Sequence, residues 1–318
     1  MNPFLNIQLR TRAVGLLACI VSGATLAQMA SSSETCPPPP MQLEQQMAYI
    51  TNAPARNAGF LWRVEKDGRT SWLYGTMHLN HIDYAKPGPQ IMLGLRSSDV
   101  LALEINLYEL QQQSHTKPAI DFKLSDAQLE RVSKAYAREC LALDVTAVSA
   151  VSVTLPLLRT QAQRQGLFWG YSPDARLAQI ARRTGKPIVQ LETFEQQMAV
   201  LAPPKSQAEF DEAFQVTLNA IESGSMQSEL SHLNQAWRQS DWQTFVKLEQ
   251  EMTSSQPEFT QRLLDERNIQ MAQKIDVLHR EGKKVFVAVG ALHMAGKTAL
   301  PKLMQDMGYV VSVVPLRN

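Results

Sequence analysis

A chain of 318 residues with 44% hydrophobic and 19% charged side chains has the composition of a globular protein and not of a disordered one. It is long enough for one large domain or two small ones. A net charge of +1 leaves no basic surplus for nucleic acid.

Arg10 and Arg12 precede AVGLLACIVSGATLA, an apolar run of signal-peptide length, and cleavage after Ala27 leaves small residues at the recognised positions. The expectation is a signal peptide over residues 1–27 and a periplasmic or secreted mature chain beginning near Gln28. The alternatives are an uncleaved anchor, or a lipoprotein held through Cys19, which follows Leu-Leu-Ala. No later stretch is long and apolar enough for a transmembrane helix. Residues 28–58 read as an extended linker, because SSSETCPPPP favours polyproline II. Residues 59–318 read as the folded domain. Loss of the signal removes Cys19 and leaves Cys36 and Cys140, which either pair or stay as two thiols.

The run FLWRVEKDGRTSWLYGTMHL places Asp67-Gly68 between two β-like runs, which predicts a hairpin. Strand-length apolar runs follow at 99–105, 187–192, 284–290 and 309–316. Runs of this kind predict strands buried on both faces. Ser125 caps a helix carrying Leu129, Val132 and Tyr136 at helical spacing. Pro173 opens another, which Gly185 closes. Residues 206–281 read as several helices, broken near Ser223-Gly224 and Pro257. The alternation predicts an α/β fold with a central mixed or mainly parallel sheet flanked by helices, with helical insertions over 107–180 and 200–260.

The strand ends carry the chemistry. One ends in Gly75-x-x-His78 and another in Gly290-x-x-His293. Glu104 stands near the end of a third, and Glu192 and Glu195 follow a fourth. The Gly-Lys-Thr at 296–298 is not a P-loop. That motif needs four residues between its first glycine and Gly-Lys-Ser/Thr, and here five separate Gly290 from Gly296. If the strands run parallel, these side chains converge beyond one edge of the sheet, where open α/β sheets bind ligands. Glycine is expected there because it tolerates positive φ after a strand. Two imidazoles and a carboxylate suit Zn, Mn, Co or Fe, and the same set without metal suits acid–base work. Glu104 reads equally as a buried carboxylate paired with an arginine. Glu192 and Glu195 read equally as helix-capping acids. Arg267-Asn268, on the helix before the last motif, reads as a carboxylate partner, an oxyanion clamp or a structural ion pair. His81 reads as loop surface, and His115, His232 and His279 as solvent-facing. Glu229-x-x-His232 has helical ligand spacing but stands alone.

WLYGTMHL, DVLALEINL, GKPIVQLETFEQQ, ERNIQMAQKI and VAVGALHMAG, in this order, resemble the TraB/GumN family, which includes the animal Tiki proteins that cleave Wnt ligands. The resemblance runs from about Trp62 to the C-terminus. It departs at Leu292, where many relatives have a second glycine, and at Met294, where leucine is common. It implies a fold related to erythromycin esterase and the haem-binding ChaN-like proteins. It also implies a metal-dependent hydrolase site of His78, Glu104 and His293, with Glu192, Arg267 and Asn268 around it. The expected activity is hydrolysis in an exported protein, with a divalent transition metal (Mn, Co, Zn or Fe) as cofactor and a peptide or protein as substrate. His78, His293 and Glu104 hold the metal, Glu192 takes a proton from water, and Arg267 steadies negative charge. The rival is a non-catalytic binding or regulatory protein that uses the same cleft for a peptide or haem-like ligand.

Overall fold

The computed structural model describes residues 36–106, 123–142, 150–200 and 206–316. The expected signal peptide, its cleavage site, Cys19 and His115 lie outside them.

Six strands form one mixed sheet among the described residues: β1 (Phe60–Lys66), β2 (Arg69–Thr76), β3 (Val100–Leu103), β4 (Ile188–Gln190), β5 (Val285–Gly290) and β6 (Val310–Val314). Their order is β4-β3-β5-β2-β1-β6. β4, β3, β5 and β2 run parallel, while β1 pairs antiparallel with β2 and β6. The hairpin falls where Asp67-Gly68 places it. Both residues have positive φ, 52° and 70°, as a tight hairpin turn requires. β3 is buried along its length and β5 as far as Gly290, as their composition predicts. β4 and β6 depart from that expectation. They are the two edges of the sheet: β4 is half-buried throughout, and in β6 Val310 and Val313 are each 68% exposed.

The helices are α1 (Leu43–Asn52), α2 (Pro89–Ser97), α3 (Asp126–Arg138), α4 (Ala150–Arg164), α5 (Pro173–Arg183), α6 (Phe194–Val200), α7 (Gln207–Ser223), α8 (Ser225–Arg238), α9 (Trp242–Ser255), α10 (Pro257–Thr260), α11 (Glu266–Arg280) and α12 (Leu300–Asp306). Ser125 makes a full capping box with Gln128, and Gly185, at φ 67°, lies just beyond α5. Gly224, at φ 73°, separates α7 from α8. A π-helical turn, Gln261–Asp265, joins α10 to α11. α1 lies within the stretch expected to be extended. Its LEQQMAYITN sequence has no proline or glycine to resist a helix once the proline run ends at Pro40.

A small cluster of Ile50, Ile82, Ala85 and Tyr171 and two large hydrophobic cores form among the described residues. One packs against the sheet and includes Leu73, Leu101, Phe286, Val287 and Met271. The other lies among α3, α4, α7 and α8 and includes Val132, Leu157, Phe210 and Phe214. α8 belongs to both, through Met226 and Leu230 on one side and Leu233 and Trp237 on the other. Cys36 and Cys140 form a disulfide across a separation of 104 residues, which ties the segment before α1 to the end of α3. Closing a loop of that length contributes about 4–5 kcal/mol in the chain-entropy account.

Candidate functional site

The register of the parallel strands sets the site. Thr76 pairs with Gly290, and Leu103 pairs with Ala288, so Glu104 lies beside the last residues of β5. The chain then carries His78 past the end of β2 and His293 past the end of β5. Both imidazoles reach one carboxylate oxygen. Glu104 Oε1 is 3.6 Å from His78 Nε2 and 3.7 Å from His293 Nε2. The same oxygen accepts the Gly290 N–H at 2.6 Å. Glu104 Oε2 accepts from Arg267 at 2.8 Å and from Gln197 Nε2 at 3.1 Å.

The motif glycines serve close approach rather than positive φ. Gly290 has φ −52°, and Gly75 is not among the positive-φ residues. A Cβ on Gly290 would meet Glu104 Oε1 at 3.3 Å and His78 Nε2 at 3.4 Å. A Cβ on Gly75 would meet Ala291 Cα at 3.2 Å. A side chain at Gly290 would therefore crowd the group to which both histidines point, and one at Gly75 would press on the turn that follows β5.

Each imidazole is anchored through Nδ1. His78 Nδ1 lies 3.3 Å from Asp174 Oδ2, and the carboxylate also accepts the Thr76 hydroxyl at 2.8 Å. A carboxylate accepts only, so Nδ1 carries the hydrogen. Trp169 stacks on the ring at 5.3 Å between centroids. His293 Nδ1 lies 2.6 Å from Asn268 Oδ1, while Asn268 Nδ2 donates to the His293 carbonyl at 3.2 Å. That second bond orients the amide, so here too Nδ1 donates. In the neutral form both rings turn the Nε2 lone pair toward Glu104.

The fields on the two rings differ. Burial works against charge on His78, but Asp174, with Glu104 behind it, outweighs burial and raises the pKa to about 9. Burial and then the Arg267 guanidinium pull His293 down to about 3. Burial pushes the Glu104 carboxyl up, yet the two imidazoles, Arg267 and the Gly290 N–H together hold it below the usual carboxylate range.

Arg267 is buried between two acids. Besides Glu104, it donates through Nε to Glu192 Oε1 at 2.8 Å and through a terminal nitrogen to Glu192 Oε2 at 2.9 Å. Its remaining terminal nitrogen donates to the Leu263 carbonyl in the π-helical turn at 2.9 Å. Both oxygens of Glu192 are thus held by Arg267, and Glu192 does not line the cavity. Burial raises its carboxyl despite the guanidinium. The ion-pair reading of Arg267 and the buried-carboxylate reading of Glu104 both hold, inside the same cluster as the histidines.

Other sequence expectations land elsewhere. Glu195 is exposed in the first turn of α6, and His232 is exposed on α8. His279, expected on the surface, is instead buried, 3.3 Å from an Arg69 nitrogen and edge-on to Tyr309. Asp174 is a site residue that the sequence does not single out. Its only signal there is an acid in the first turn of a helix opened by Ser172-Pro173, which capping alone explains.

A narrow cavity of about 60 Å³ opens onto His78, Glu104, Arg267 and His293. Its far wall is apolar and comes from α8, α9 and the π-helical turn. Glu229 is on that wall, one turn before Leu233. Among the described residues, no group of three or more His, Cys, Asp or Glu side chains stands assembled to hold a metal ion, and no helix is long and apolar enough to cross a membrane.

Residues 60–313 match the model of the TraB/PrgY/gumN family. The uncharacterized protein YbaP of Shigella flexneri is 26% identical over 260 residues, which is 74% of this chain and 88% of that protein. YbaP of Escherichia coli K12 is 26% identical over 256 residues, covering 73% and 87%. No solved structure matches. The matched span runs from the first strand of the sheet to the last and contains both Gly-x-x-His ends, so the chain belongs to the TraB/PrgY/gumN family.

Proposed function

We propose that this protein is an exported hydrolase, acting on peptide bonds with a divalent transition metal held by His78, Glu104 and His293. One observation carries the reading: Glu104 and Glu192 share the Arg267 guanidinium while Asp174 stands behind His78, so with both imidazoles neutral, as metal ligation requires, three carboxylates face one cation and two negative charges are left over. A divalent cation cancels them. The donor chemistry also supports it. Two Nε2 atoms, each with its Nδ1 anchored by an outer partner, and one carboxylate oxygen suit such an ion. At 3.6 and 3.7 Å, the two Nε2 atoms stand beyond hydrogen-bond reach of Glu104 Oε1, so the three donors face one another without a direct bond. When bound, the ion acts as a Lewis acid toward a carbonyl and toward water.

The chain's own groups then divide the work. Asp174 and Asn268 hold the two rings in the tautomer that presents Nε2. Arg267 keeps Glu104 ionised and supplies positive charge beside the cavity. Glu192 fixes Arg267 and does not itself take the proton. Glu229, the other carboxylate on the cavity wall, is the group placed to exchange a proton with water. The Cys36–Cys140 disulfide supports export, since such bonds persist in oxidising compartments.

The second reading, a non-catalytic binding protein, is favoured by the burial of Glu104 and His293, at 5% and 4% exposure. A space of about 60 Å³ does not admit haem, so that reading narrows to a small or peptide ligand. Metal analysis of purified protein, followed by peptide cleavage with and without chelator, separates the two. The hydrolase reading expects bound metal and chelator-sensitive cleavage. Metal-free protein that cleaves at full rate removes the metal from it, and protein that binds peptides but cleaves none removes hydrolysis.

A further inference from the structure

Met226, Leu230 and Leu233 project from α8 at positions one and two turns apart, and Phe245, Leu263 and Leu264 close the wall around them. This apolar surface ends directly at Glu104 and His293. A site that needed only water and an ion would have no use for it. The space, about 60 Å³, is small. At roughly 12 Å³ for each water-sized group, it holds about five such groups. A leucine or methionine side chain, of about four heavy atoms, fills it, whereas an aromatic ring overfills it.

We infer that this cavity is a specificity pocket for one aliphatic side chain of leucine or methionine size, flanking the bond that is cut. The inference rests on the hydrolase reading and adds the substrate class: peptides with an unbranched or γ-branched aliphatic residue next to the scissile bond. Acidic side chains are rejected because the wall of Met226, Leu230, Leu233, Phe245, Leu263 and Leu264 leaves them without a partner, and Glu229 and Glu104 on the same lining repel them. Leu230 sets the depth. It is buried at the seam of the two cores, and its side chain separates the cavity from the helical layer.

The test is a peptide library with single-residue variation on either side of the cut, read by mass spectrometry with wild-type protein and with Leu230→Ala and Leu230→Met. Wild type should favour leucine or methionine over alanine, aspartate and phenylalanine at one flanking position, by roughly ten- to a hundredfold. Leu230→Ala should shift the optimum toward phenylalanine. Leu230→Met conserves volume and keeps the wild-type order, which guards against a misfolded alanine variant. Cleavage without flanking preference, or a folded Leu230→Ala with an unchanged profile, overturns the pocket and leaves hydrolysis standing. If no peptide is cleaved, hydrolysis falls, and calorimetry on the same peptides decides the pocket. Leucine peptides that bind at least tenfold tighter than aspartate peptides uphold it, and equal or absent binding overturns it.

Discussion

His78 and His293 occupy equivalent places, three residues after a strand-end glycine and within 3.7 Å of the same carboxylate oxygen, yet they live in opposite fields. His78 rests on an aspartate, is 13% exposed and holds its proton to about pH 9. His293 rests on an amide, is nearly fully buried and stays neutral down to about pH 3. The partner of Nδ1 and the stronger pull of Arg267 on His293 separate them. A repeated motif therefore fixes where a ring sits, and the residues behind it fix its charge. At neutral pH the pair is one imidazolium and one imidazole, which is an acid beside a base.

The largest effect is expected at the neutral arm. His293→Ala should abolish both metal retention and peptide cleavage, while His232→Ala on the exposed face of α8 should change neither. The change is not silent for stability. It strands the buried Asn268 carbonyl oxygen, at a cost of about 1–3 kcal/mol. Metal content by mass spectrometry, cleavage rate and urea unfolding measure all three. Full metal content in folded His293→Ala protein would remove this arm from the proposed ligand set.

Arg267 is the group that sets the two arms apart, and its removal should cost nearly as much. Arg267→Ala strips the guanidinium from two buried acids, leaving Glu192 without its cation and Glu104 with only the His78 imidazolium and two neutral donors, a loss of about 3–5 kcal/mol in unfolding free energy. It should also raise the His293 pKa, because the guanidinium helps depress it. A loss below about 1 kcal/mol by urea titration would mean that water reaches the cluster and screens it.

Acid and alkali should then weaken the metal-free protein through different histidines. His78 has a folded pKa above its unfolded value, so its contribution is complete below about pH 6.5 and is lost as pH rises through about 9. His293 has a depressed folded pKa, so its contribution is complete above about pH 6.5 and is lost as pH falls toward about 3. The alkaline flank is worth on the order of 3 kcal/mol and the acid flank on the order of 5 kcal/mol. Urea midpoints of chelator-treated protein across this range should fall on both sides. His78→Gln should flatten only the alkaline flank and His293→Gln only the acid one. If a single variant flattens both flanks, the two rings titrate as one unit.

Much of the architecture was legible. Asp67-Gly68 between alternating runs predicts the hairpin, and apolar runs separated by helices predict the parallel strands whose ends gather His78, Glu104 and His293. Composition does not identify a strand's neighbours, so β6 reads as buried although it is an edge. His279 reads as surface because the Arg69 and Tyr309 that cover it come from distant parts of the chain. The π-helical turn that aims Leu263 and Leu264 at the cavity leaves no mark on helical spacing. Asp174 is hidden for a different reason. A first-turn acid already has a local explanation, and only the fold brings it 96 residues back to His78.

That hidden partner allows the sharpest change to the comparison, and the mildest for the protein. Asp174→Asn gives His78 the same kind of Nδ1 partner that His293 has, an amide oxygen. Thr76 bonds the other carboxylate oxygen, so in the asparagine the amide nitrogen faces Thr76 and donates to its hydroxyl oxygen, and the packing behind the ring is largely kept. Removing the carboxylate removes the largest influence that raises the His78 pKa, while burial, which lowers it, remains. The His78 midpoint should therefore fall from about 9 to below the ordinary histidine value, and that of His293 should not move. Ring-proton NMR of chelator-treated protein reads both. Metal affinity responds to two opposing changes. The ion no longer competes with a tightly held proton at neutral pH, which favours binding. The ring loses the carboxylate that strengthens it as a donor, which costs about ten- to a hundredfold. In wild type, affinity should rise about tenfold per pH unit until His78 loses its proton near 9. In Asp174→Asn that rise should end near neutrality, with lower affinity above pH 9 and a smaller difference at pH 7. A variant whose affinity still climbs steeply to pH 9 would show that the proton displaced by the metal does not come from His78.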